Sequence, residues 1–495
     1  MNALSAEEFD LVVVGGGPSG STLAALVAMR GHRVLLLEKE SFPRYQIGES
    51  LLPSTIHGVC KLLGVSKELE DASFVRKLGG TFRWGANPEP WTFAFAVSPK
   101  LAGPTSHAYQ VERMKFDQIL LDNARRVGVE VREECSVSDV IEDGGRVSGL
   151  RYTDAAGSAH EISAKIVADC SGNRSRIHKH AGGQRVYSEF FQNVALFGYF
   201  EGGKRLAAPR SGNIVCEAFD DGWFWYIPLS DELTSVGAVV ARERADQIQG
   251  DPEKALLKLI ERSPMIQELL SDARRVTEGP YGEIRVRKDY SYCDTAFWKP
   301  GMVLAGDAAC FVDPVFSSGV HLATYSGLLA ARSINSVLSG EIDEQRSFDE
   351  FERRYRREYG LFYEFLVSFY DMHHDEQSYF WNAKKLTSTG ATDIEAFVEL
   401  VGGAASGDSA LAGRRLASAA DQLAKAVDSV QEKGNDGADQ PAPLFKTAII
   451  GEVMQESARV QARAALGAEL DDENPLFDGG LVPSGDGMSW VIPAS

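Results

Sequence analysis

The sequence predicts an α/β fold, and three observations carry that prediction. Leu11–Val14 is an unbroken apolar run that ends in Gly15-x-Gly17-x-x-Gly20, followed by a helix-like stretch from Ser19 to Arg30 and a second apolar run over 33–37 closed by Glu38. Strand-like segments dominate from about 185 to 290. Beyond about 345 the chain turns helical. A buried parallel strand, a glycine turn and a helix form one βαβ unit. The expected architecture is therefore a Rossmann-type domain, a mostly antiparallel second sheet and a helical C-terminal region.

The 495 residues, 44% of them hydrophobic, exceed what a single ordinary core organises, so several subdomains are expected. The reading divides the chain into a first nucleotide-binding part (1–185), a sheet region (186–295), a return segment of the first domain (296–345) and a mostly helical remainder (346–495) with a flexible stretch near 402–440. The formal net charge of −19 argues against nucleic acid and anionic membranes as partners. Six scattered cysteines without a C-x-x-C pair read as reduced thiols. The acidic N-terminus lacks an apolar targeting core, and no stretch approaches a membrane span, so a cytoplasmic protein is expected.

Farther along, the pattern is β-rich near 74–97 and 105–112, an amphipathic helix runs from Met114 to Val127, and strands joined by turns fill 129–157. Short buried strands are expected at Ile166–Asp169 and Gly301–Leu304, strands at Val194–Phe200, Gly222–Pro228 and Ser235–Val240, and helices over 252–270, 320–338 and 445–466.

Each residue of the glycine motif has a physical task. Gly15 permits the tight turn, Gly17 lets the backbone approach a pyrophosphate, and Gly20 lets helix and strand pack closely. The helix N-terminus at Ser19 faces the phosphate charge. Glu38 stands where an acid accepts ribose hydroxyls. A second set of motifs selects the dinucleotide. Gly306-Asp307 ends a strand, Asp169-Cys-Ser-Gly172 lies mid-chain, and Arg113 opens a helix. Taken in chain order, Arg113, Asp169 and Asp307, they resemble the flavoprotein monooxygenase-like family, which implies FAD held by Asp307, Arg113 and Arg44, with the segment Arg44-x-x-Ile47-Gly48-Glu49-Ser50 beside the flavin.

Three further motifs resemble the flavin-dependent halogenases, over about residues 9–385, especially the branch acting on phenols or pyrroles and often on carrier-bound substrates. Gly222-Trp-Phe-Trp-Tyr-Ile-Pro228 matches that family's Trp-x-Trp-x-Ile-Pro signature, which implies that Trp223 and Trp225 screen flavin from substrate. Phe311-Val-Asp-Pro314-Val-Phe-Ser-Ser318-Gly319 resembles the loop that places chloride beside the flavin, with Pro314 near the cofactor and the N–H groups of Ser318 and Gly319 forming an anion nest. Lys77, in Lys77-Leu-Gly79-Gly-Thr-Phe-Arg-Trp84-Gly85, corresponds to the essential lysine that delivers hypohalous acid. Arg76 beside it does not readily lose a proton and is a poor halogen carrier.

The resemblance implies FADH2 from a separate flavin reductase, O2 and chloride as co-reactants, and an acyl or peptidyl carrier protein as a partner. An aromatic hydroxylase, a prenyl-chain reductase and a flavin sensor are the alternatives. Asp289 is raised as a covalent FAD anchor. Phe365, Phe369, Tyr370, Tyr379, Phe380 and Trp381 read as core or as a ring pocket, and Arg353–Arg357 as a solvated helix face or a docking site for an acidic carrier. Bulky Phe316 stands where it could block a halide tunnel. His373-His374-Asp375-Glu376 does not converge on one point of a helix, so no metal is expected.

Overall fold

The computed structural model describes residues 7–87, 89–370, 392–412 and 475–493, without the side chains of Asp289 and Tyr290. The helix expected over 445–466, residues Tyr379–Trp381 and the His373–Glu376 run lie outside the described residues.

The apolar run after the N-terminus forms the strand Glu8–Val14, whose last four residues are buried. It pairs in parallel with Val34–Leu37 on one side and Ala159–Asp169 on the other. Glu130–Arg132 and Met302–Leu304 extend the same sheet outward, again in parallel. This is the strand order of a nucleotide-binding sheet, with the glycine turn at the point where the order reverses. The helices Pro18–Ala28, Arg113–Arg126 and Ser318–Ser339 pack beside it.

The second sheet has nine strands, ordered Cys310–Phe311, Arg285–Asp294, Arg185–Glu201, Leu233–Ala241, Gly222–Pro228, Ile214–Phe219, Gly79–Arg83 and Trp91–Ala94, with Arg274–Arg275 on its flank. Every pairing is antiparallel except that of Ile214–Phe219 with Gly79–Arg83. Two of its strands come from the first 185 residues and one from the return segment, so the sheet is built by chain segments far apart in sequence. Its outer face buries Leu196, Val236 and Val240 with Leu256 and Ile266 of the helices Pro252–Ile260 and Pro264–Leu269. Its inner face belongs to the main core.

One expectation for the C-terminal region requires correction. Residues 402–411 are not flexible: nearly all are buried. Asp408 is fully buried and receives a bidentate pair of hydrogen bonds from fully buried Arg332, at 2.6 and 3.2 Å. Gly58 makes this docking possible, because a Cβ there would stand 2.6 Å from the Ala410 carbonyl oxygen. Beyond this segment, the described residues near the C-terminus form a small hairpin, Val482–Pro483 with Trp490–Val491. Trp490 is buried, and its indole N–H donates to Ser333 Oγ at 2.9 Å. Among the described residues no helix is long and apolar enough to cross a membrane.

Burial alone raises the Asp408 carboxyl, but the Arg332 guanidinium overrides it and holds the group at about 2. A folded-state value below the unfolded one, about 3.9, stabilises the fold above pH 4 and loses that contribution as pH falls toward 2. D408A leaves Arg332 buried without its carboxylate and is expected to cost about 3–5 kcal/mol, read from denaturant unfolding at neutral pH.

Candidate active site

Between the two sheets lies a cavity of about 990 Å³, at the upper end of the usual range for ligand sites. From the parallel sheet it is lined by Gly15, Gly17, Ser19, Glu38 and Asp307, and from the antiparallel sheet by Ala195, Phe197, Trp223, Trp225 and Tyr292. Arg44, Arg113, Arg174, Arg285 and Arg287 also reach it. They concentrate positive charge in a chain of net charge −19, as a bound pyrophosphate requires.

The glycine turn has the form a dinucleotide needs. Gly15 has φ +101°, and a Cβ there would meet the Cys170 carbonyl oxygen at 2.6 Å. A Cβ on Gly20 would stand 1.9 Å from the Gly15 oxygen, so only glycine lets this helix start so close to the strand. At Gly17 a Cβ would meet only the Arg44 guanidinium, at 3.4 Å; on its other sides the backbone is open. Pro18 begins the helix without a side-chain cap, leaving its first N–H groups for an anion.

Glu38 is fixed by hydrogen bonds from the backbone N–H groups of Gly16 at 2.6 Å and Glu40 at 2.9 Å. Arg44 and Arg113 both donate to Asp117, and Arg113 also donates to the Ile47 carbonyl. The buried carboxylate thus orients both guanidinium groups along the cavity wall. Burial raises the Asp307 carboxyl above its ordinary range. Asp169 does not line the cavity; it accepts bonds from Ser171 and Ser175 and shapes the turn whose Cys170–Gly172 does. The chemistry of these donors fits FAD.

At the far end of the cavity, the short strand Val75–Lys77 pairs with Ala108–Gln110 and carries Lys77 inward. Lys77 is only 2% exposed, so it is not a solvated surface lysine. Its Nζ donates to Ser50 Oγ at 2.8 Å, the Leu51 carbonyl at 3.0 Å and Ser317 Oγ at 3.5 Å. Ser50 and Ser317 both line the cavity, so the amine stands one side chain behind its wall. No carboxylate pairs with it among the described residues, and burial lowers it to about 7.

The loop it meets is set by a second buried network. Asp313 caps the turn Pro314–Phe316 by accepting from the Val315 N–H. It also accepts from Asn193 at 2.9 Å and from the Tyr370 hydroxyl at 2.6 Å. Tyr370 in turn accepts from the Trp223 indole N–H at 2.7 Å. The tryptophan strand and the loop are therefore joined through one carboxylate, which burial raises to about 6. Ser317 takes φ +61° and starts the helix Ser318–Ser339. Pro314 and Gly319 line the cavity; Ser318 is buried beneath, at the helix N-terminus.

The sequence reading missed Ser50, Ser317 and Asp313, although all three stand inside the motifs it singled out. It also missed Glu49, whose carboxylate accepts from Tyr199 at 2.7 Å and which burial raises to about 7. Phe316 does not project into the cavity. It turns into an aromatic cluster and packs on Phe365 and Phe369 at 5.2 and 4.5 Å, so those two rings are core. The Arg353–Arg357 run is not a uniform basic face. Arg354 is buried against Glu350, and Arg356 is turned onto Glu352 and Cys293. The Asp289 side chain lies outside the described residues; its backbone pairs with Asn193.

The model of the family described as "Tryptophan halogenase" matches residues 10–103 and 98–428. A tryptophan 2-halogenase of Chondromyces crocatus is 36% identical over 379 residues, 76% of this chain and 70% of that protein. The flavin-dependent halogenase ascD of Acremonium egyptiacum is 30% identical over 391 residues, 74% and 69% of the two chains. Among solved structures, the myxobacterial chondrochloren halogenase CndH is 52% identical with a TM-score of 0.75, covering 98% of this chain and all of that one. The flavin-dependent halogenase CmlS is 28% identical with a TM-score of 0.73, covering 99% and 84%.

The lowered Lys77 value has a signed consequence. Between about 7 and its ordinary 10.5, the unfolded lysine holds a proton that the folded one has lost. Wild-type stability should therefore rise with pH across that window, by up to about 1.4 kcal/mol per pH unit. K77M should lack this rise, as read from unfolding curves between pH 7 and 10.

Proposed function

The chain belongs to the tryptophan halogenase family of FAD-dependent halogenases, and we propose that within it this protein chlorinates an electron-rich aromatic ring, phenolic or pyrrolic, with Lys77 delivering the halogen. The observation that carries this reading is the position of the Lys77 amine, enclosed and hydrogen-bonded to the loop beside the cavity, where burial lowers it to about 7.

Bound reduced FAD supplies, with O2, the oxidising power that converts halide to hypohalous acid. Gly15, Gly17, Ser19, Gly20, Glu38, Arg44, Arg113, Asp307 and Pro314 are the residues proposed to hold it. Trp223 and Trp225, fixed by Tyr370 and by Ser235 at 3.1 Å, are proposed to form a wall that keeps substrate from the flavin. The N–H groups of Ser318 and Gly319 are the proposed chloride site, since the first turn of a 22-residue helix favours an anion. Lys77 Nζ then hydrogen-bonds hypohalous acid, or its free amine takes up the halogen and releases water. Either path places an electrophilic halogen where Arg76 could not, because a guanidinium stays charged.

Reduced flavin is proposed to come from a separate reductase. A carrier-tethered substrate is supported by exposed Val186, Tyr187 and Phe190 on the strand Arg185–Glu201. Asp289 is proposed as a covalent FAD anchor; complete release of FAD on acid denaturation would remove it.

The reading is tested by mass spectrometry of reactions containing FAD, a flavin reductase, NADH, O2 and chloride with free and carrier-loaded phenols and pyrroles. A product with the chlorine isotope pattern is expected. A gain of one oxygen, insensitive to halide, would make the protein a hydroxylase. K77A should abolish halogenation while the flavin absorbance of the purified enzyme is retained; halogenation by K77A would end the role of this lysine.

A further inference from the structure

We propose that Cys293 and Cys310 form an oxidant-reactive dithiol, in which Cys293 is attacked first and Cys310 closes a reversible intramolecular disulfide. The two residues are direct partners across the antiparallel pair of Arg285–Asp294 and Cys310–Phe311. The next pair along is marked by the bond from the Asp294 N–H to the Ala309 carbonyl at 2.9 Å. Cys293 and Cys310 therefore occupy a non-hydrogen-bonded position, where the Cα atoms stand about 4.5 Å apart and side chains approach most closely. A disulfide needs roughly 4.4–6.8 Å, so the bond can form without moving the backbone.

The two thiols are unequal. Cys293 is partly exposed, whereas Cys310 is buried. Arg356 donates to Cys293 Sγ at 3.2 Å and holds the Asp294 carbonyl at 2.8 Å. A hydrogen bond from the Cys310 thiol, and then the Arg356 guanidinium, lower the Cys293 thiol below its ordinary value. Burial pushes Cys310 well above it. A thiolate-prone attacking sulfur beside a protonated resolving one is the arrangement of redox-reactive cysteine pairs. The basic run that the sequence offered as a docking face thus places one arginine on a thiol.

The neighbouring positions fix which face of the sheet the pair occupies. Tyr292 and Phe311, one residue away on each strand, line the cavity. Alternation turns the cysteines to the opposite face, onto the helix Glu344–Phe369. Hydrogen peroxide in solution, or, on the proposed function, hypohalous acid that has escaped the cavity, reaches the partly exposed Cys293 as the oxidant. With peroxide, the Cys293 thiolate forms an S–O bond, the O–O bond breaks and hydroxide leaves. Cys310 sulfur then attacks, the S–S bond forms, and its proton leaves with the displaced hydroxyl as water. With hypochlorous acid, an S–Cl bond forms as hydroxide leaves, and Cys310 displaces chloride while losing its proton. Each route moves two electrons from the dithiol to the oxidant.

The test uses the purified holoenzyme, treated with a few equivalents of hydrogen peroxide, then denatured with N-ethylmaleimide and cleaved with chymotrypsin. Cleavage after Phe297 and Trp298 separates the two cysteines. The Cys293 and Cys310 peptides are expected to remain linked until dithiothreitol is added, with Cys60, Cys135, Cys170 and Cys216 alkylated. C310S should instead give a dimedone adduct on Cys293. R356M should slow Cys293 oxidation about tenfold, as expected when thiolate stabilisation is removed. Flavin absorbance checks that each variant is folded, and the wild-type cross-link decides the matter by itself. Full alkylation of Cys293 and Cys310 after oxidant, or disulfides between other cysteines in their place, would overturn the proposal.

Discussion

Burying one amine, with no carboxylate partner among the described residues, is the constraint around which this site is arranged. An ammonium group loses several kcal/mol of hydration when it is enclosed, and here two serine hydroxyls and one carbonyl replace water around Lys77. Those acceptors come from two places: the segment Ser50–Leu51 and the left-handed turn at Ser317. Each must be held rigidly. Ser50 is bridged to Gln110, and Ser317 follows a turn fixed by Asp313 through Asn193 and Tyr370. Removing any one holder opens this enclosure to water and weakens the burial that lowers the amine.

The architecture follows from joining that cage to a cofactor site. A parallel sheet supplies glycine turns and a helix N-terminus for phosphate, which an antiparallel sheet does not. The antiparallel sheet supplies a broad aromatic wall, and the strand Gly222–Pro228 sets Trp223 and Trp225 on the cavity side. The cavity lies where the two meet. Arg44 and Arg113 share Asp117, so their charges are oriented by a buried carboxylate instead of by solvent.

The local parts of this design were legible in sequence. The glycine turn, its helix and Glu38 are encoded within about thirty residues, and short apolar runs marked the buried strands beside them. Lys77 and the tryptophan strand were legible by resemblance to a family, because nothing in the periodicity around Lys77 distinguishes it from a surface lysine. Contacts between distant residues were not legible. Lys77 and Ser317 are 240 positions apart, and Asp313 meets Asn193 across 120. The Arg353–Arg357 run looked uniform because charge counting ignores helical phase: neighbouring residues on one helix face opposite environments. Residues 402–411 looked flexible from their small and polar composition. The same small residues permit their close packing, and Asp408 is anchored by an arginine 76 positions away.

The central claim is that burial lowers the Lys77 amine to about 7. It is tested most directly by titrating the FAD-loaded enzyme, labelled with 13Cε/15Nζ lysine, by heteronuclear NMR, with K77M used to assign the resonance. The account predicts one lysine that titrates near 7, far from the rest, and is missing from K77M. A Lys77 resonance that titrates with the surface lysines, near the ordinary value of 10.5, would contradict it.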